Sequence, residues 1–117
     1  MAALDPVLYV GLGGTVGALA RHLVGERIER GTRDTLVVNV VGSFLLGVLT
    51  ALSVPEVAAL ALGTGFCGAF TTFSTFAFET TRLLEAHDLR RAMWNAGANL
   101  GGGLGAVALG ALLAGLL

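Results

Sequence analysis

The sequence predicts an all-α membrane protein of four transmembrane helices, and three observations carry that prediction. Hydrophobic residues make up 55% of the chain and charged residues 13%, against roughly 25% charged in an ordinary soluble domain. Residues 35–55, 57–78 and 92–117 form charge-free runs of 21, 22 and 26 residues, and about 20 apolar residues cross a hydrocarbon core of ~30 Å. All seven basic residues are arginines, and they flank only two of the connecting loops.

The first helix is expected over 6–24. Its charge-free run, residues 6–20, is shorter than the others at 15. It reaches a spanning length if Arg21 and His22 sit at the interface with the Arg21 stem snorkelling. Asp5-Pro6 suits a helix start, a side-chain cap followed by the residue favoured at the first helical position. No basic region precedes it and no cleavage-type segment follows, so a removable signal peptide is not expected. The second helix is expected over 35–52, with a turn at Ser53-Val54-Pro55-Glu56. Pro55 and Glu56 suit the first turn of a third helix over 57–82. A short charged loop leads to a fourth over 92–117. The whole is read as one four-helix transmembrane domain, 1–117. The longest loop, residues 25–34, leaves no room for a soluble catalytic domain, and no nucleophile–base or metal-binding cluster is present, so an enzyme is not expected. The lone Cys67 reads as a small packing residue; the net charge of −1 says little about partners, and no nucleic-acid partner is expected.

Arginine placement sets the orientation. Arg21, Arg27, Arg30 and Arg33 surround the first loop and Arg82, Arg90 and Arg91 the third. With four spans these loops share one side, and the other side carries none. Excess Arg and Lys mark the cytoplasmic face, so both termini are predicted outside the cytoplasm.

Polar and small residues recur every fourth position, which places them on one helix face. Thr35, Asn39, Ser43 and Gly47 do so in the second helix, Asn95, Asn99 and Gly103 in the fourth, and Gly13, Gly17 and Arg21 in the first. Small residues at this spacing let helices approach closely, and packing is the expectation for the glycines, including Gly97, Gly101 and Gly105. Asn39 has two readings, packing or pore lining, because a mid-helix amide offers more donors and acceptors than packing uses.

The third helix is the unusual one. From Gly63 to Phe76 it reads Gly-Thr-Gly-Phe-Cys-Gly-Ala-Phe-Thr-Thr-Phe-Ser-Thr-Phe. Glycines free the backbone, and non-helical backbone at membrane depth is tolerated only inside protein or beside a hydrated cavity. A break here is expected to release carbonyls that bind a cation and a half-helix amino end that attracts an anion. Phe73 and Phe76 share a face, and their positive ring edges suit a desolvated anion. The alternative is a Phe-rich packing face with its hydroxyls bonded back to the helix. Gly63, Gly65 and Gly68 match a dinucleotide-binding pattern only in spelling, since no strand precedes them. Arg21 and Glu79 are candidates for a pore mouth, Glu79 with the plainer alternative of a charge ending the span.

Taken in order, these motifs resemble the Fluc (CrcB) family of fluoride channels. The resemblance rests on Gly-Gly-x-x-Gly-Ala-x-x-Arg from Gly13, Thr-Leu-Val-Val-Asn-Val-Val-Gly-Ser-Phe from Thr35, and Gly-Phe-Cys-Gly-Ala-Phe-Thr-Thr-Phe-Ser-Thr-Phe from Gly65. It implies an antiparallel, dual-topology-type dimer with two fluoride pores and a helix broken in mid-membrane. It also implies a structural sodium ion on the dimer axis, held by backbone carbonyls at Gly68 and Thr71, and no organic cofactor. The pore residues it implies are Asn39, Phe73 and Phe76, with Ser74, Thr75 and Asn99 continuing a polar track. The implied activity is passive efflux of fluoride, which limits its toxicity in the cytoplasm.

The chain departs from the family pattern at Asn95, where tyrosine is common, and at Asn99, where serine is common. The arginine bias departs further, because a chain inserting both ways round needs balanced loops. The dimer partner is therefore a second copy or, favoured by the bias, an oppositely oriented homologue, with membrane lipid around both. Two other classes stay open: a small proton-coupled multidrug-type exporter, which needs a membrane-embedded carboxylate in the first helix, and a non-conducting membrane-assembly subunit.

Overall fold

The computed structural model describes residues 5–28 and 31–117, and Arg30 lies outside them. Four helical spans follow one another, Pro6–Arg27, Thr32–Ala51, Glu56–Glu85 and Leu89–Gly115, each long and apolar enough to cross a membrane. The helices run past the charge-free stretches where local chemistry supports them. Asp5 caps the first by accepting from the Val7 amide at 2.9 Å, with Pro6 next in line. The second starts three residues before Thr35 because Gly31, at φ 139°, turns the chain in a conformation that suits glycine, and the Asp34 carboxylate accepts from the Gly31 amide at 3.0 Å.

Between the third and fourth spans only residues 86–88 are non-helical. His87, at φ 57°, donates its amide to the Leu84 carbonyl, and the Asp88 amide reaches the Leu83 carbonyl. This pair of bonds closes a helix end over a left-handed residue. Asp88 then caps the fourth span by accepting from the Arg91 amide at 3.2 Å. A hairpin this tight fixes the last two spans as antiparallel neighbours.

Outward faces are apolar and the interior is partly polar. Leu12, Val16, Leu19 and Leu23 of the first span are exposed, as are Leu104 and Leu112 of the fourth, whereas Thr35, Thr72, Asn95 and Asn99 are buried. Water would penalise that distribution, and hydrocarbon favours it. The chain is a multi-pass membrane protein.

Glycines set the close approaches. A Cβ added at Gly13 would lie 1.8 Å from the Ala61 carbonyl oxygen, and one at Gly17 2.4 Å from that of Phe66. The first span thus lies backbone to backbone on the leading half of the third. Likewise a Cβ at Gly47 would lie 2.2 Å from the Val107 oxygen, and one at Gly110 2.3 Å from that of Phe44, joining the second and fourth spans. Nothing in this chain lies within 4 Å of a Cβ added at Gly97, Gly101 or Gly105, so any packing by these glycines is not with another span of the same chain. They form a separate stripe on the fourth helix, turned away from the face that Gly103 and Gly110 bring to the second.

The third span is not one regular helix. After an α-helical turn it is π-helical from Ala59 to Cys67, returns to α over Gly68–Phe70, and leaves helical geometry at Thr71 (ψ 165°) and Thr72 (φ −150°, ψ 120°). Helix resumes over Phe73–Glu85. Glycines were expected to supply the irregularity, yet Gly63, Gly65 and Gly68 all remain helical. The interruption falls instead on two β-branched residues, for which extended backbone is easy, at the point where Gly42 of the second span comes in. A Cβ on Gly42 would be 2.2 Å from Thr71 Cγ2.

Candidate anion path at the interruption of the third span

Extended backbone at Thr72 exposes an N–H and a C=O that hydrocarbon cannot satisfy. Asn39 satisfies both. Its Oδ1 accepts from the Thr72 amide at 2.8 Å, and its Nδ2 donates to the Thr72 carbonyl at 3.0 Å. The Thr72 hydroxyl caps the trailing half of the span, accepting from the Thr75 amide at 3.1 Å. One threonine therefore ends one helix, begins the next, and is held by an amide from a neighbouring span.

A hydrogen-bonded line extends from this point in two directions. In one, Asn39 Nδ2 donates to Asn99 Oδ1 at 2.9 Å, Asn99 Nδ2 to the Asn95 backbone carbonyl at 2.9 Å and to Asn95 Oδ1 at 3.2 Å, and Asn95 Nδ2 to Thr80 Oγ1 at 2.9 Å. In the other, the Thr72 hydroxyl donates to Thr75 Oγ1 at 3.1 Å, which also accepts from Arg21 Nη2 of the first span at 3.3 Å. Ser74 Oγ stands 3.5 Å from Thr72 Oγ1 and is exposed. Glu79 accepts from the Thr35 hydroxyl, and its Oε2 is buried without a hydrogen-bond partner. The two pore-mouth candidates thus engage different groups, Arg21 the third span and Glu79 the second.

Two cavities flank the interruption. A groove of about 630 Å³ is lined by Asn39, Ser43, Gly68, Thr71, Phe73 and Phe76, among others, and a smaller space of about 340 Å³ by Arg21, Thr35, Thr72 and Thr75, among others. Thr72 lines both. Phe73 and Phe76 meet edge to face, with centroids 5.7 Å apart and planes at 63°. Phe76 is buried (9% exposed), while Phe73 is 76% exposed. Such a site offers an anion hydroxyl and amide donors and aromatic edges, and keeps the arginine at one end of the line.

The carbonyls of Gly68 and Thr71 fit the role expected of sodium ligands. In an unbroken helix the amide four residues on would occupy each. Here the Thr72 amide goes to Asn39 instead of Gly68, and the Thr75 amide goes to Thr72 Oγ1 instead of Thr71. Oxygen donors of this kind suit a hard cation. Gly68 also faces open space.

Reading the sequence did not single out Thr72 within its motif, nor Thr80. A hydroxyl residue just ahead of a new helical stretch is a cap signal, but the long apolar run hid the boundary.

The fold and this site define a four-span membrane protein with a buried polar line through a broken helix. The comparisons with known proteins agree. The family model described as "CrcB-like protein, Camphor Resistance (CrcB)" matches residues 8–111, and the chain belongs to that family. It is 49% identical to "Fluoride-specific ion channel FluC 2" of Haloarcula marismortui, over 86% of each chain. It is 48% identical to the protein of the same name from Moorella thermoacetica, covering 94% of this chain and 97% of the relative. It is 42% identical to "Fluoride-specific ion channel FluC 1" of Thermobifida fusca, covering 88% and 90%.

Proposed function

We propose that this chain is a subunit of a fluoride-selective channel that lets fluoride leave the cytoplasm passively, acting as an antiparallel dimer with two pores. The observation that carries the reading is the convergence of Asn39, Phe73, Phe76 and Asn99 on one groove at the helix interruption. Membership in a family whose relatives are named as fluoride-specific channels supports it. Fluoride sheds water at high cost, so a path must replace that water with donors and positive edges at each step. Ser74, Thr75 and the Phe73 and Phe76 edges offer such groups on the third span, and Asn39 and Asn99 on its neighbours. Arg21 draws the anion at one end, and Glu79 borders the path near Thr35.

The groove argues for a dimer. Phe73 is largely exposed and a Cβ added at Gly68 would meet nothing within 4 Å, so one wall of the path is open until another subunit closes it. A sodium ion at Gly68 and Thr71 would supply fixed positive charge at that junction; the residues' part is to turn two unpaired carbonyls toward it.

The arginine bias supports an orientation with both termini outside the cytoplasm. The same bias favours an oppositely oriented homologue as partner over a second copy. Reconstitution of the chain alone tests the pairing: fluoride flux only after co-expression with a homologue of reversed arginine bias supports it, and robust flux from the pure chain overturns it.

A further inference from the structure

The polar line on the fourth span ends on a hydroxyl that no pore role explains. Thr80 Oγ1 accepts from Asn95 Nδ2 at 2.9 Å and donates to the Phe76 carbonyl at 2.8 Å. The opposite end of the line is the Thr72 amide, which donates to Asn39 Oδ1. Both ends are thus backbone groups of fixed polarity, since an amide can only donate and a carbonyl can only accept. That fixes the sense of every bond between them. Thr72 N–H donates to Asn39, Asn39 to Asn99, Asn99 to Asn95, Asn95 to Thr80, and Thr80 to Phe76. Reversing any one amide would set NH₂ against NH₂ or oxygen against oxygen.

The line therefore does more than satisfy polar atoms. It uses all three asparagines of the chain, two of them, Asn95 and Asn99, nearly inaccessible at 5% and 7% exposed. Both ends lie on the third span, at Thr72 just ahead of its trailing helix and at Phe76 within it, and between them the span carries Phe73. Asn39 has both N–H directions committed, one to Thr72 O and one to Asn99 Oδ1. To offer an N–H to a passing anion, Asn39 must release Asn99, whose own NH₂ is held by the Asn95 backbone carbonyl at 2.9 Å and by Asn95 Oδ1 at 3.2 Å, the second of these being set by Thr80.

We infer that Thr80 is a positioning residue for Asn39, acting through Asn95 and Asn99: its hydroxyl, pinned by the Phe76 carbonyl, fixes the Asn95 end of the amide line and with it how firmly Asn99 holds the N–H that the path presents. The inference rests on the channel reading for its effect on flux, but its structural half stands apart from that reading. A line of amides held at both ends behaves as a unit, so loss of one end group is felt at the far member.

The test compares Thr80→Val, which keeps shape and loses the hydroxyl, with Thr80→Ser, which keeps the hydroxyl. Valine suits a membrane span, so both variants are expected to insert. Fluoride efflux from liposomes is read for each, alongside the side-chain NH₂ resonances of protein labelled with ¹⁵N-asparagine. Thr80→Val is expected to lower efflux by about fivefold to tenfold, the size of effect that one lost hydrogen bond produces. It also displaces the Asn39 and Asn99 NH₂ signals. Thr80→Ser keeps wild-type efflux and signals. Unchanged efflux in Thr80→Val, equal losses in both variants, or an unmoved Asn39 signal in Thr80→Val would each overturn the inference. Should the wild-type protein pass no fluoride either alone or co-expressed with an oppositely oriented homologue, the channel reading fails, and the resonances alone decide on the amide line.

Discussion

Asn39 on the second span pairs with Thr72 on the third at both of its backbone groups, accepting from the amide at 2.8 Å and donating to the carbonyl at 3.0 Å. The side-chain amide takes the place a neighbouring strand would occupy, and so makes a non-helical residue tolerable in the membrane. Packing and pore lining were the two readings of Asn39, and this bond pattern gives it a third task, holding the interruption open.

Asn39→Ala is accordingly expected to lose both fluoride efflux and stability. Two backbone groups of Thr72 would lack partners, at about 1–3 kcal/mol for each buried group left unpaired. Liposome efflux and the thermal unfolding midpoint in detergent are the measurements, and a variant that stops flux at full stability would reduce Asn39 to a pore residue only.

The two phenylalanines are expected to separate function from stability. Phe73→Ile and Phe76→Ile should each stop fluoride efflux while the dimer persists, because isoleucine has no aromatic edge. Only Phe76, at 9% exposed against 76% for Phe73, should also lower the unfolding midpoint of the subunit. Flux unchanged in both variants would remove the aromatic edges from the mechanism.

Glycine substitutions should divide along the distances at each backbone. Gly13→Ala forces a Cβ to within 1.8 Å of the Ala61 carbonyl oxygen and should destabilise by about 1–3 kcal/mol or more, as overpacking does. Gly97→Ala meets nothing, and replacing glycine within a helix favours it by about 0.5–1 kcal/mol. Chemical denaturation in micelles ranks the pair, and equal costs would contradict the packing described.

His87 holds a left-handed conformation that costs an L-residue about 1–2 kcal/mol. His87→Gly is expected to raise the unfolding midpoint without changing efflux, since the loop is remote from the Asn39 groove. A lower midpoint would mean that the imidazole itself contributes to the turn.

Sodium withdrawal should act on assembly. With Gly68 and Thr71 carbonyls released from the helix ladder, exchange of sodium for a large organic cation is expected to reduce the dimer fraction on size-exclusion chromatography as well as the flux. An unchanged dimer fraction would count against a structural ion at this place.

Much of this arrangement was legible in the sequence, for physical reasons. Charge-free runs gave the spans, because hydrocarbon excludes charge over a fixed length. Four-residue spacing put Asn39 on one face with Gly47, and Gly13 with Gly17, and the structure turns both faces toward neighbouring spans. The position of the interruption was not legible: three glycines pointed upstream, while the deciding partner, Asn39, lies 33 residues away from Thr72 in the chain. The outer stripe of Gly97, Gly101 and Gly105 could not be told from the inner one, since periodicity defines a face but not what it meets. Asn95 and Asn99 read as departures from a family pattern, and only their partners identify them as parts of one directed line.

Fluoride efflux from liposomes holding the purified protein, followed with a fluoride electrode under a clamped potential and compared with chloride, tests the central claim most directly. Passive fluoride flux with no chloride flux and no dependence on a proton gradient, from the chain or from the chain with its oppositely oriented homologue, is the predicted result. Fluoride release no faster than from protein-free liposomes in both preparations, or transport that requires a proton gradient, would contradict it.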